Sequence, residues 1–285
     1  MKHGHKIRVS AIVKGIFIAV FTFIFLLPLW LMLTSSFEES LSFARHGYSL
    51  VVHSFSTAAY EILFSDSLFW SSLLNSVWVT LATVALSLVV NVLTAYALSK
   101  KEMPLHKFFN FLFVFSMFFN AGMIPTYLII RSLGMVDSFL ALIIPPALGV
   151  YNILLIRNYI YSLPRAMEEA AMMDGANWFQ LLWSVVIPVS KPVIVTTAFI
   201  TLISKWNSWM DILLYISKTE EGHAFWTVQY YLRYLREAVG ATNSAVGSDQ
   251  VLSASIVVTV LPVCILFPFL QKNFSSGISL GAVKG

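Results

Sequence analysis

The sequence predicts an all-α polytopic membrane protein with six transmembrane helices. Three observations carry that prediction. Of 285 residues, 58% are hydrophobic and 11% charged, and the mean hydropathy is +0.79. An average soluble domain is about 25% charged, so this chain cannot build an ordinary water-facing surface. Its apolar residues gather into six long runs, and a bilayer core of about 30 Å takes about 20 helical residues to cross. Its lysines and arginines lie almost entirely between those runs. A soluble globular enzyme, a disordered chain and a nucleic-acid binder are thereby excluded. The net charge of +4 is spread over short loops, whereas nucleic acid needs it clustered on one exposed face.

The runs follow in order. Residues 15–33, 73–98, 108–130, 139–156 and 251–270 are uncharged, and 192–216 carries only Lys205 and Asp211. Helices are the economical reading, because lipid offers no partner to an unpaired backbone group. A β-barrel would show alternating segments of about ten residues instead. The second run reads apolar on nearly all faces. Basic residues precede the first run, as in a signal peptide, but it exceeds the usual 7–15 apolar residues and no small-x-small site follows it. It is read as an uncleaved span. Cys264, the single cysteine, excludes an intramolecular disulfide and reads as a small buried hydrophobe.

Orientation follows from the basic residues, which favour cytoplasmic loops. With the N-terminus inside, the outer loops hold only Arg45, Arg131, Lys218, Arg233 and Arg236. The inner segments hold twelve of the chain's 18 lysines and arginines. Both termini of this multi-pass chain are therefore expected in the cytoplasm. The segments are 1–14 as an N-terminal cytoplasmic stretch, 15–273 as the membrane domain and 274–285 as a cytoplasmic tail.

The inner loop 161–190 carries the most specific signal. Pro164 suits a first helical position, where its missing N–H costs nothing. The following residues are good helix formers, and Glu168 and Glu169 sit where the helix dipole favours anions. Gly175 is placed to stop that helix with positive φ. Asn177 can cap a second helix over 178–186. Pro188 and Pro192 are expected to break the chain before the next span. Ala170 and Ala171 would let another backbone approach closely, Met172 and Met173 offer an adaptable apolar contact, and Glu169 and Asp174 could orient a partner. An amphipathic helix lying in the membrane interface is the alternative on composition alone.

Spacing decides between them. Glu169, Ala170 and Ala171, then three residues, Gly175, nine residues, and Val185, Val186, Ile187 and Pro188 resemble the E-A-A-x3-G-x9-I-x-L-P signature of ABC importer permeases. Val185 and Ile187 stand where the pattern has isoleucine and leucine. The stretch IPTYLIIRSLGMVDSFLALIIP (124–145) is similar to carbohydrate-uptake permeases of the maltose importer type. The tail from Gly277 through Gly281, Ala282, Val283, Lys284 and Gly285 resembles that of the G-type partner in those two-permease systems. KWNSWMDILLYI (205–216) and TVQYYLRYL (227–235) resemble the branch that takes complex oligosaccharides. Residues 1–110 match in layout only.

The resemblance implies a machine of several chains. This chain would pair with a second homologous permease, over two ATPase subunits, with an extracytoplasmic binding protein delivering a sugar or oligosaccharide. The EAA loop would hold a cytoplasmic coupling helix, 164–173, about 15 Å long, seated in an ATPase cleft through Glu169 to Gly175. The tail residues Gly281 and Lys284 would reach between the ATPases. No cofactor is expected on this chain; ATP and Mg belong to the ATPases. No G-x4-G-K-[S/T] loop occurs here, so this chain would not hydrolyse ATP.

Polar groups inside spans are costly and often functional. Trp206, Asn207 and Trp209 combine aromatic faces with an amide, which suits a sugar ring, although an aromatic belt and an interhelical hydrogen bond are the plain alternatives. On an ideal helix Lys205 and Asp211 lie about 240° apart at about 100° per residue, so they should not pair. Asn120, Tyr151 and Asn152 are further candidates for sugar contact, with Pro125, Pro145 and Pro146 as possible helix breaks; Asn75 and Asn91 read as packing groups. The outer aromatic and basic stretch around Tyr230, Tyr231, Arg233, Tyr234 and Arg236 is a candidate surface for the binding protein. The six histidines lie in loops or termini, and no metal site is expected; His3 and His5 read as a solvated tail. The rivals are the same machine moving phosphate, an amino acid or an osmolyte, and a polytopic enzyme acting on lipid or glycan.

Overall fold

The first crossing is α1 (Val9–Ser36) in a computed structural model that describes residues 9–119, 121–217, 220–241 and 247–278. Its apolar side chains are exposed along the helix, as a lipid-facing surface requires. Phe17, Phe21 and Phe25 follow one another a turn apart with their rings tilted, centroids 4.4 and 6.4 Å apart. Two compact units are distinguished: Met1–Ser67 with Leu232–Leu261, and Leu68–Tyr231 with Pro262–Gly285.

In the first unit the chain after α1 forms two short helices, α2 (Ser40–His46) and α3 (Ala58–Ser65). The loop between them is tied to the end of α1: Thr34 Oγ1 donates to Ser49 O at 2.6 Å and Trp30 Nε1 to Leu50 O at 2.9 Å. Glu38 is buried beneath this loop and accepts hydrogen bonds from Ser42 Oγ, His53 N and Ser54 N. Burial alone would raise its pKa, but those donors outweigh it and hold the carboxyl below the ordinary value of 4.5.

The second unit is organised around α4 (Ser67–Ser99), a 33-residue helix. Its buried stripe is polar: Ser72, Ser76, Thr80, Thr83, Ser87 and Asn91 recur every three or four residues, while Leu74, Trp78, Leu81, Val89 and Leu93 face outward. Small polar residues let membrane helices pack closely and hydrogen-bond, so this stripe runs along the buried side beside buried Phe69, Val79, Val92, Ala95 and Leu98. Next come α5 (His106–Phe118) and α6 (Met123–Ser132), joined across a break and bent by 118°. The fourth crossing, Phe139–Tyr161, comprises α7 (Phe139–Ala147) and α8 (Val150–Tyr161) with a break at Leu148 and Gly149. Then follow α9 (Arg165–Met173), α10 (Trp178–Leu181), a π turn Leu182–Val186, α11 (Ile187–Trp206) and α12 (Met210–Tyr215). A 3₁₀ turn Glu220–Phe225 leads to α13 (Val228–Ala241), and α14 (Ser248–Ile278) is the last crossing.

Among the described residues, five helices are long and apolar enough to span a bilayer, and the bent pair α5 and α6 makes a sixth if counted as one span. Three expectations need correction. Pro188 and Pro192 do not break the chain: α10, the π turn and α11 form one span, Trp178–Trp206, rather than one beginning at residue 192. Proline cannot donate to the carbonyl four residues back, and the wider π turn just before Pro188 absorbs that mismatch within the helix. The same span ends at Trp206, not at 216, because residues 207–209 leave the helix. Cys264 is exposed on α14 rather than buried. A cysteine in a crossing helix meets no penalty on a lipid-facing side, so its apolar setting did not imply an interior position.

Candidate functional site

The segment 161–190 keeps its glycine stop and asparagine cap as read, but Pro164 stands before the first helical position rather than in it, and the second helix is four residues long before the π turn. Pro164 is the N-cap of α9, and helical bonding begins at Arg165. At the other end Gly175 takes φ +85°, a value side chains rarely adopt. Gly175 N donates to Met172 O and Ala176 N to Ala171 O, both at 3.0 Å, which closes the end of α9 with the paired bonds of a glycine stop. Asn177 Oδ1 then accepts from Phe179 N and Gln180 N, and Gln180 Oε1 accepts from Asn177 N, a reciprocal capping box.

Behind this segment lies a rigid platform. Leu181, Leu182 and Val186 pack with Val92, Ala95 and Leu98 of α4 and Ile153, Ile156 and Ile160 of α8. Ala171 packs against that cluster, so of the two small residues only Ala170 faces outward. Glu169, Ala170, Met172, Met173, Asp174 and Gly175 are exposed, Met173 to 88%. Glu168 turns inward and pairs with Lys100, whose Nζ also lies 4.7 Å from the Tyr96 ring centroid and 5.5 Å from that of Trp178. A cleft of about 520 Å3 beside α9 is lined by Lys100, Lys101, Arg165, Glu168, Glu169 and Met172 among others.

A second cavity, about 430 Å3, lies where two interrupted crossings meet. Gly149, Tyr151 and Asn152 come from the break in the fourth crossing; Ser204, Lys205, Ser208 and Asp211 come from the break after α11. Irregular backbone at membrane depth is tolerated only against protein or a wet cavity. Both breaks meet that condition. Asn91 Oδ1 accepts from Gly149 N at 3.2 Å, which satisfies an N–H at the start of α8. Asn152 Nδ2 donates to Thr201 Oγ1 at 3.0 Å, and Asn152 Oδ1 has no hydrogen-bond partner. Lys205 Nζ donates to Asp211 Oδ2 at 2.6 Å, and Ser208 Oγ donates to the same oxygen at 2.7 Å. The expectation that Lys205 and Asp211 lie apart is therefore overturned. It assumed one continuous helix, and residues 207–209 redirect the chain so that the last turn of α11 meets the first turn of α12. Those are the turns where the helix dipoles favour a cation and an anion.

Of the residues proposed for sugar contact, Tyr151 and Asn152 line this cavity. Trp206 is buried at 6% exposure and is not part of the lining, nor are Asn207 and Trp209. Asn207 Nδ2 is spent on Ile203 O at 2.9 Å, closing the end of α11. Asn120, Gly281 and Lys284 lie outside the described residues. Asn75 is a packing group as read: its Nδ2 donates to Ala224 O at 2.7 Å and Trp226 O at 3.0 Å. The outer stretch divides, with Tyr231 buried and Tyr234 and Arg236 exposed. Thr201, Ser204, Ser208 and Asp211 were missed as cavity residues. Their only sequence signal was polarity recurring through the fifth apolar run.

One grouping that could hold a metal ion was also missed. Glu38, His46 and His53 each bring a ligand atom within 4.8 Å of the others. Three donors already occupy the Glu38 carboxylate, and the imidazoles stack with centroids 4.2 Å apart and planes only 13° from parallel. Parallel rings do not aim their in-plane lone pairs at one point, so the arrangement reads as a fastening of the loop between α2 and α3.

Comparison with known proteins agrees with this architecture. Residues 103–280 match the family described as "Binding-protein-dependent transport system inner membrane component". The chain is 34% identical over 278 residues to the polygalacturonan/rhamnogalacturonan transport system permease protein YtcP of Bacillus subtilis (strain 168), covering 94% of this chain and 96% of that protein. It is also 34% identical to Protein LplC of the same organism, over 98% of this chain and 96% of the relative. Among solved structures, a chain of a bacterial ABC transporter involved in the import of the acidic polysaccharide alginate superposes with a TM-score of 0.83 at 33% identity, covering 96% of this chain and 99% of the other. This chain therefore belongs to the inner membrane components of binding-protein-dependent transport systems.

Proposed function

We propose that this chain is the membrane-spanning subunit of an ATP-driven importer of sugars or oligosaccharides, working beside a second permease. Two ATPase subunits beneath them would bind ATP and Mg, and an extracytoplasmic binding protein would supply the sugar. The observation that carries this reading is the segment 164–177: a short exposed helix, closed at its C-terminal end by the Gly175 stop, followed by a capped second helix and seated on a buried platform. A partner pushing on such an element moves the helices beneath it, whereas a flexible loop would yield. Glu169, Ala170, Met172, Met173, Asp174 and Gly175 form the outward surface for an ATPase, with Ala171 as its anchor. The sugar path runs through the cavity at the two breaks, where Tyr151 supplies an aromatic face, Asn152 an amide and Asp211 a carboxylate that accepts from hydroxyls. The names of the relatives support a carbohydrate, and those naming pectic polymers and alginate favour uronate-bearing chains.

Gly175→Leu tests the dock. A side chain at positive φ costs roughly 1–2 kcal/mol, and nothing lies within 4 Å of the position a Cβ would take, so the change acts on the end of α9 without a clash. The protein should still insert in the membrane, lose its ATPase on purification and import nothing. Normal co-purification with normal import would sink the reading. The substrate class is tested separately by uptake of labelled oligosaccharides, neutral and uronate-bearing, against phosphate, amino acids and osmolytes. Accumulation confined to a non-sugar solute would overturn it.

A further inference from the structure

We infer that Lys100 is a positioning residue that fastens the docking helix to α4, so that movement imposed on α9 reaches the cavity. The inference rests on α9 being the ATPase dock. Lys100 follows α4 directly, and its backbone N donates to Ala97 O at 3.1 Å, continuing the last turn of that helix. Its ammonium joins three elements: it pairs with Glu168 on α9, lies over Tyr96 on α4 and lies over Trp178 at the start of α10. Tyr96 Oη adds a bond to Trp178 O at 3.2 Å. The pair is largely enclosed, with side-chain exposures of 13% for Lys100 and 23% for Glu168. A cation held by a carboxylate and two aromatic faces in partly desolvated surroundings is a directional contact, unlike the apolar packing around it.

Two adjacent acids thus have different duties. Glu169 faces out toward a partner, and Glu168 faces in and holds the helix to the protein's own frame. From Lys100 the same helix leads to the cavity. Asn91, nine residues back and about 14 Å along the axis, receives the Gly149 N–H at the break of the fourth crossing. Asn91 Nδ2 donates to Ser87 Oγ at 2.7 Å, and Ser87 Oγ lies 3.3 Å from Thr201 Oγ1, which also receives Asn152 Nδ2. One rigid helix therefore touches the docking helix at one end and both cavity walls further along. Coupling between sites needs an element that both of them bias, and α4 is that element here.

The test uses the whole importer, with its partner permease, ATPases and binding protein, in proteoliposomes, and reads sugar taken up per ATP hydrolysed. Lys100→Met keeps an apolar stem over the two rings and removes the charge. It should keep the ATPase bound and hydrolysing while uptake per ATP falls about tenfold, within the range of ordinary coupling energies. Lys100→Arg should restore most of the ratio. Glu168→Gln should reproduce the loss, and the double variant should be no worse than either single one, since both remove one link. Should Lys100→Met fail to fold, Glu168→Gln and Lys100→Arg carry the same comparison. Unchanged uptake per ATP, independent multiplying losses, or detachment of the ATPase in Lys100→Met would each overturn the inference. If Gly175→Leu leaves the ATPase bound, the docking reading has failed; if Gly175→Leu releases it and Lys100→Met stays fully coupled, only the positioning role has failed.

Discussion

Asn91 uses both ends of its amide, giving Nδ2 to Ser87 and taking the Gly149 N–H on Oδ1. Replacing it by leucine, a larger apolar side chain at a position 2% exposed, leaves the part-buried Gly149 N–H without that acceptor, and an unpartnered donor costs about 1–3 kcal/mol. Asn91→Leu should melt several degrees below the parent in detergent, and an unchanged melting temperature would remove Asn91 from the account. Glu38 makes a prediction in pH. Its folded-state pKa lies below the unfolded one, so its stabilisation is complete above about 4.5 and disappears as pH falls through the folded value. Protection of residues 37–56, measured as exchange relative to the intrinsic rate at each pH, should fall on acidification below the ordinary carboxyl value of 4.5, and Glu38→Gln should lack that protection already at neutral pH. Flat protection from pH 7 to pH 3 would contradict it. Gly175 and Asn177 were legible in the sequence because their partners lie within five residues. Asn91 was legible as a packing group, but its bond to Gly149, 58 residues away, was not, and nothing in the sequence marked Glu38, to which the following loop brings His53 and Ser54 back.

At the scale of elements, whole crossings were legible, and Pro125, Pro145 and Pro146 marked the third and fourth as interrupted, with the breaks a few residues away between Phe118 and Met123 and at Leu148 and Gly149; the break after α11 was not legible. Hydropathy averages over a window, so it found 192–216 as a run and could not see that residues 207–209 leave the helix. The reversal of the Lys205 and Asp211 expectation follows from that one error of geometry. The break itself is held by the pair, which makes a stability prediction. Lys205→Met leaves Asp211 facing low-dielectric surroundings without its cation; breaking a buried pair costs about 3–5 kcal/mol, and less here because Asp211 keeps 27% side-chain exposure. Lys205→Met combined with Asp211→Leu removes both charges and should recover stability in thermal unfolding. If the double variant is less stable than Lys205→Met alone, the pair is not what closes the break. The polar stripe of α4 was equally hidden: Ser, Thr and Asn are ordinary in membrane helices, and only their recurrence at three or four residues marks the buried side.

For the whole molecule, one property must hold if any of the mechanism is to work: the docking segment has to face the compartment that contains ATP. Twelve basic residues on one side against five on the other argue for that orientation. It can be tested without any partner or substrate. Cys264 is the chain's single cysteine, so Cys264→Ser provides a background in which introduced thiols report their own side. Arg45→Cys lies at an exposed position of α2, and Met173→Cys at the end of α9, 88% exposed. A membrane-impermeant maleimide added to intact cells or spheroplasts should label Arg45→Cys at once and reach Met173→Cys only after the membrane is opened. Both thiols are exposed on the folded chain, so burial cannot explain a missing signal; a missing signal means the wrong side. Labelling of Met173→Cys from outside would place the segment beyond reach of any nucleotide-driven partner. It would end the docking role, the fastening role of Lys100 and the direction of transport together.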